Sequence, residues 1–175
     1  MTAAAPEPVK IGLPPIACPD ARLFIFGSLP GDASLAARRY YAHPTNQFWH
    51  LLGHAIGEEL HVMAYDERLA RLADRKIGLW DVIASAARRG SLDQAIRSAG
   101  HNPIDRLLEN FPDVQAVAFN GLTAAQVGRN VFGSTQLTLI DLPSSSAANT
   151  KRFDQKAEIW DQLANYAGPK VLPHA

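Results

Sequence analysis

Cysteine is almost missing: Cys18 is the only one in 175 residues, which excludes an intramolecular disulfide and any cysteine-built metal or iron–sulfur cage. A reducing, cytoplasmic setting is the expectation. Net charge is missing too. Lys and Arg number 17 against 17 Asp and Glu, so no global positive field advertises a polyanionic partner, and only local patches remain to do so. No apolar run approaches the roughly 20 residues of a membrane span, and the N-terminus has neither the basic nor the apolar region of a signal peptide. Internal repeats, a Gly-x-Ser-x-Gly nucleophile elbow and a Walker phosphate loop are all lacking. His43 and His50 match no metal-binding motif, so neither metal nor cofactor is expected. What the chain does have is 47% hydrophobic residues in a length suited to one well-buried domain, expected to be a monomer.

Residues 1 to 20 carry Pro6, Pro8, Pro14, Pro15 and Pro19, which forbid regular helix and predict an irregular lead-in. The domain is expected over 21–168, with a tail over 169–175. Leu23-Phe24-Ile25-Phe26 reads as a buried strand that breaks at Gly27-Ser28-Leu29-Pro30-Gly31. From Asn46, apolar Phe48, Leu51, Leu52, Ala55 and Ile56 recur at helical spacing up to Gly57, which places Asn46 at a helix start. Asp66 is a suitable cap for a helix to about Arg75. Ile77 to Ile83 reads as a second strand, Asn102-Pro103 opens a helix ending near Phe111, and Val114 to Phe119 is a third strand closed by Asn120-Gly121. A helix from Thr123 to Val131, a fourth strand at Leu137 to Ile140, a Ser-rich loop and a closing helix bearing Phe153, Ile159, Trp160 and Leu163 complete the order.

Strands alternating with helices predict an α/β fold, a single-domain α/β/α sandwich on a four-stranded parallel sheet with right-handed crossovers. Ligands of such sheets bind beyond the strand C-termini. The Gly27 to Gly31 loop, Asn120-Gly121 and the segment from Leu142 to Asn149 all follow strand ends, so one cleft is expected to gather them.

The string Gly27-Ser28-Leu29-Pro30-Gly31, followed by Tyr40-Tyr41-Ala42-His43-Pro44-Thr45-Asn46-Gln47-Phe48-Trp49, resembles the first motif region of the uracil-DNA glycosylase superfamily, in particular its hypoxanthine-DNA glycosylase branch. Leu142-Pro143-Ser144-Ser145-Ser146-Ala147-Ala148-Asn149 is similar to the second motif, a Pro-Ser loop after the last strand. The resemblance covers about residues 22 to 165. It implies base flipping and hydrolysis of the N-glycosidic bond of a deaminated base in DNA, chiefly hypoxanthine. It also carries a departure: the mismatch-specific branch has Gly-Ile-Asn-Pro-Gly in the first loop and uses that asparagine, where this chain has Leu29. An apolar side chain neither orients water nor stabilises a cationic sugar. The hypoxanthine branch shares the loss and relies on the asparagine of Ala-His-Pro-x-Asn, here Asn46.

The implied roles follow the matched positions. Asn46 is the expected catalytic residue, placing water or bonding the base. Tyr41 is the expected stacking platform for the flipped base, within a base pocket that also takes Gly27, Ser28 and Asn120; a turn explains Asn120-Gly121 equally well. His43 is expected to order the turn that presents Asn46, and Asp81 to hold water or a sugar contact, or to serve only as a local cap. Pro143, Ser144, Ser145, Ser146 and Ala147, with Lys151 and Arg152 beside them, are the expected contacts to the DNA backbone, the loop running into a helix N-terminus that favours phosphate. Relatives insert a bulky wedge from this loop; the equivalents here are only Ser146, Ala147 and Ala148. Two other readings stay open: a uracil- or mismatch-directed glycosylase, and a DNA-binding homologue without turnover.

Overall fold

The computed structural model describes residues 4–172, so the first three residues of the lead-in and the last three of the tail lie outside it. In chain order the elements are β1 (Val9–Ile11), β2 (Leu23–Gly27), α1 (Asp32–Ala37), α2 (Phe48–Ile56), α3 (Tyr65–Asp74), β3 (Ile77–Asp81), β4 (Ile83–Ala87), β5 (Arg97–His101), α4 (Leu107–Asn110), β6 (Ala116–Asn120), α5 (Leu122–Phe132), β7 (Thr138–Leu142) and α6 (Phe153–Trp160). The central sheet is parallel throughout, in the order β3-β2-β6-β7.

Its inner strands are covered on both faces, which is why Leu23 to Phe26 reads as a continuous apolar run. Side chains alternate across the pleat. Leu23, Ile25, Ala116 and Ala118 pack with Leu51 and Leu52 of α2, Leu72 of α3 and Trp160 of α6. Phe24, Phe26, Val117 and Phe119 turn the other way, towards Ala124 and Ala125 of α5 and Leu107 of α4. Close approach of α5 depends on Gly128, because a Cβ there would run into the Phe119 ring. Alanine gains about 1 kcal/mol over glycine in an exposed helix, but overpacking a dense core costs about 1–3 kcal/mol. Gly128→Ala is therefore expected to lower the denaturation midpoint, and an unchanged or raised midpoint would contradict this packing.

A second, three-stranded antiparallel sheet, β1-β4-β5, flanks the first and was not expected. The lead-in is thus not wholly irregular. Val9 to Ile11 pair with Ser85 to Ala87, and Ile16 bridges to Leu79, although the prolines do keep helix out. The predicted strand from Ile77 to Ile83 splits at Val82. Val82 and Ile83 donate their N–H groups to the carbonyls of Gly27 and Ser28, which turns the chain out of the parallel sheet and into β4. Asp66 does not cap α3: the N-cap is Ala64, whose N–H is bound by Glu67, and Asp66 lies in the first turn. The closing helix tightens to a 3-10 turn over Asp161–Asn165. No helix of the described residues is long and apolar enough to cross a membrane.

Candidate active site

The C-terminal ends of β2, β3, β6 and β7 open on one cleft of about 480 Å³, lined among others by Gly27, Ser28, Tyr41, His43, Asn46, Asp81, Asn120 and Ser144 to Ala148. The structure therefore brings together every expected residue of the base pocket, the Asn46 segment and most of the Ser-rich loop. Pro143, Lys151 and Arg152 are not among the lining residues.

Asn46 sits one residue before the N-cap of α2, which is Gln47. Its Oδ1 accepts the N–H of Phe48 at 3.0 Å, an Asx turn that fixes the side chain by one oxygen. His43 folds the preceding turn: its carbonyl accepts the N–H of Asn46 at 3.0 Å, and its Nδ1 lies 3.2 Å from the Thr45 amide and 2.9 Å from the Thr45 hydroxyl. Tyr41 adopts a left-handed backbone, φ +52°, which is unfavourable for a bulky residue. Its ring stacks flat on Phe48, centroids 3.7 Å apart and planes 6° from parallel. Phe48 is held in turn by edge contacts to Trp49 and Trp160. A strained backbone kept in place by an aromatic stack gives a rigid platform.

Leu29 is buried, 5% exposed, in the apolar cluster that includes Val82, Ile83 and Ala86. The position that carries asparagine in mismatch-specific relatives is therefore packing in this chain, and Leu29→Asn would bury an amide there. The loop backbone around it is set by Arg88 at the end of β4, fully buried, whose guanidinium donates to the carbonyls of Leu29 and Pro30. Ser28 donates its hydroxyl to Asp93 at 2.7 Å. Burial raises the Asp93 carboxyl above the usual carboxylate range, while this hydrogen bond and Arg88 oppose the shift.

Asn120 and the Ser-rich loop form a bracket. Asn120 Nδ2 donates to Ser145 Oγ and its Oδ1 accepts the Ser145 N–H, both at 2.9 Å. The Ser145 carbonyl accepts the Gln47 N–H at 2.9 Å. Lys156 of α6, fully buried, donates to Gln47 Oε1 and to the Ser146 carbonyl, and Trp160 donates to the Pro143 carbonyl. The loop is thus tied both to the strand end and to the segment carrying Asn46. Gly121 is in the positive-φ region at +101°, which the turn from β6 into α5 requires.

The phosphate reading of the helix that follows needs correction. α6 starts at Phe153, and Asp154 in its first turn puts a carboxylate where an anion would dock. Asp154 also engages the Arg152 guanidinium, while Lys151 is exposed. Among the described residues no group of three His, Cys, Asp or Glu side chains is placed to hold a metal.

The model of the uracil DNA glycosylase superfamily matches residues 14–164, nearly the whole chain and every segment of this cleft. The chain belongs to that superfamily. Within it, this glycosylase-superfamily chain is 40% identical over 155 residues to the hypoxanthine DNA glycosylase of Methanosarcina acetivorans, covering 89% of this chain and 98% of the relative. It is 37% identical over 154 residues to the hypoxanthine DNA glycosylase of Methanosarcina barkeri, covering 86% and 95%. The solution NMR structure of a candidate uracil DNA glycosylase from Methanosarcina acetivorans superimposes with a TM-score of 0.81 at 36% identity, over 89% of this chain and 96% of that one.

Asp93 and Lys156 carry no signal in the sequence, and Arg88 reads there only as part of the basic pair Arg88-Arg89, a phosphate contact or solvated surface, whereas it is fully buried. Asp93 lies in a polar segment without periodicity, and Lys156 occupies an ordinary helical position. The bonds from Asp93 to Ser28, Arg88 to Leu29 and Lys156 to Gln47 span 59 to 109 residues of chain, which no local pattern announces.

Proposed function

We propose that this chain is a monofunctional DNA glycosylase that flips a deaminated base, hypoxanthine foremost, out of DNA and hydrolyses its N-glycosidic bond. The observation that carries the proposal is the single cleft at the strand ends, where Asn46, the Tyr41 platform and the Asn120-bracketed serine loop meet. The names of the two Methanosarcina relatives support hypoxanthine as the base, and so does Leu29, which takes the first-loop position out of the chemistry.

Breaking the bond builds positive charge on the sugar and negative charge on the leaving base. With Oδ1 of Asn46 accepting the Phe48 amide, its Nδ2 is left to donate to the base, and the remaining lone pair of Oδ1 to accept from the attacking water. Tyr41 stacks the extruded base on the face opposite Phe48, offsetting the few kcal/mol that unstacking costs. Ser144, Ser146 and Ala147 contact the DNA backbone, with Pro143 and Ser145 holding the loop and exposed Lys151 adding a cation beside it. Gly27 and Ser28 border the base, and Asn120 positions the loop.

The test is excision from duplexes carrying one deoxyinosine, deoxyxanthosine or deoxyuridine, read as cleavable abasic sites with a chelator present. Deoxyinosine is expected to lead. Deoxyuridine leading would move the chain to a uracil-directed role, and no excision would leave a binding homologue.

A further inference from the structure

The floor of the cleft holds two buried polar atoms that the protein leaves unsatisfied. Asp81 ends β3, is 3% exposed and lines the cleft, yet its Oδ2 has no hydrogen-bond partner; Tyr41 Oη is in the same condition. The two side chains flank one spot. A Cβ built on Gly27, the register partner of Asp81, would lie 2.5 Å from Asp81 Oδ1 and 2.9 Å from Tyr41 Oη. The bare face of Gly27 is thus walled by the Asp81 carboxyl, through Oδ1, the oxygen beside the unpaired Oδ2, and by the unpaired Tyr41 phenol. Buried polar groups in folded proteins are mostly paired, and these two side chains line the cleft, where a bound group can meet them.

The surroundings decide which form the carboxyl takes. Burial is the largest influence and the like charge of Asp93, on the turn after β4, the next; together they push Asp81 up to about 7 against the opposing pull of Arg88. Arg88 is itself committed to the Leu29 and Pro30 carbonyls. From the loop before α2 the neighbours are the phenols of Tyr40 and Tyr41, both raised by burial first and by Asp81 next, hence neutral. Asp81 therefore holds a proton near neutral pH and gives it up readily, which is what a general acid requires.

We propose that Asp81 enters the DNA complex protonated and donates its proton to a ring nitrogen of the departing purine, N7 or N3, as the glycosidic bond breaks. The C1′–N9 bond cleaves with its electron pair going to the ring, the Asp81 proton goes to the ring nitrogen, and the base leaves as neutral hypoxanthine. Water adds to C1′ and releases its proton to the Asp81 carboxylate, restoring the acid. This role rests on the glycosylase reading above and supplies leaving-group help that Leu29 does not.

The test measures single-turnover excision by the wild type and Asp81→Asn over about pH 5 to 9, from duplexes carrying deoxyinosine, 7-deazadeoxyinosine or 3-deazadeoxyinosine. The wild-type rate on deoxyinosine is expected to fall as pH rises through the Asp81 titration. Asp81→Asn is expected to be about 100-fold slower and to lose that limb. One deaza substrate, lacking the accepting nitrogen, is expected to be slow with the wild type and no slower with Asp81→Asn. A variant within threefold of wild type with the limb retained, or both deaza substrates excised by the wild type at the deoxyinosine rate, would overturn the proposal. Absence of any wild-type excision of deoxyinosine would instead overturn the glycosylase reading and this role with it.

Folding is checked by melting. A carboxyl raised in the folded state loses stability as pH climbs from its unfolded value towards its folded one. Asp81→Asn is expected to melt above wild type at alkaline pH, the gap closing towards acid pH. If that variant does not fold, the two deaza substrates with the wild type decide.

Discussion

Asn46→Ala is expected to lower the single-turnover excision rate by about 10²- to 10³-fold, the usual cost of removing one preorganised donor from a transition state. The same substitution deletes the acceptor of the Phe48 N–H, a hydrogen bond worth about 1 kcal/mol of stability. Two effects are thus mixed, and Asn46→Asp separates them. Aspartate keeps the oxygen that closes the turn but has no Nδ2 to donate. It is expected to melt near wild type and still lose most of the activity. If Asn46→Asp is fully active, the amide donor is dispensable; if both variants are, Asn46 has no catalytic role.

Gly27→Ala is expected to reduce excision by about 100-fold or more, since displacing catalytic groups by even about 1 Å has that cost. The backbone at Gly27 is ordinary extended strand, so the added methyl meets only the side chains of Asp81 and Tyr41, at 2.5 and 2.9 Å. Both must move, and both line the base pocket. Overpacking adds about 1–3 kcal/mol of destabilisation. Gly31→Ala is the control in the same loop: its methyl would approach Ser91 at 3.3 Å, a contact a short exposed side chain can relieve. Near-normal excision by Gly27→Ala would mean that the floor of the cleft does not touch the base.

The parallel sheet was legible because its inner strands are apolar on both faces. Leu23 to Phe26 and Ala116 to Phe119 leave no polar residue to suggest an exposed strand, and turn residues follow each. The small sheet was not. Ile83-Ala84-Ser85-Ala86-Ala87 has no alternation of bulky side chains, and Arg97 to His101 is exposed throughout; such strands are defined by their pairing partners, because β-propensity depends on context. Asn46 and Tyr41 are legible from motif positions and Asn120 from its place at a strand end, and their convergence follows from the strand ends. Asp81 was legible only as a polar residue after a strand. What gives it a distinct chemistry, a buried carboxyl beside Gly27 with one oxygen unpaired and with Asp93 and Arg88 near it, is assembled by the turn at Val82 and the loop after β4.

The central claim is hydrolysis of a base–sugar bond, and the most direct test is to incubate a deoxyinosine duplex with the enzyme in ¹⁸O-labelled water and analyse the products by mass spectrometry. The account predicts free hypoxanthine in equal amount to an intact-backbone abasic site, with the label on C1′ before exchange. Release of deoxyinosine as nucleoside or nucleotide, or a nicked strand still carrying the base, would contradict it.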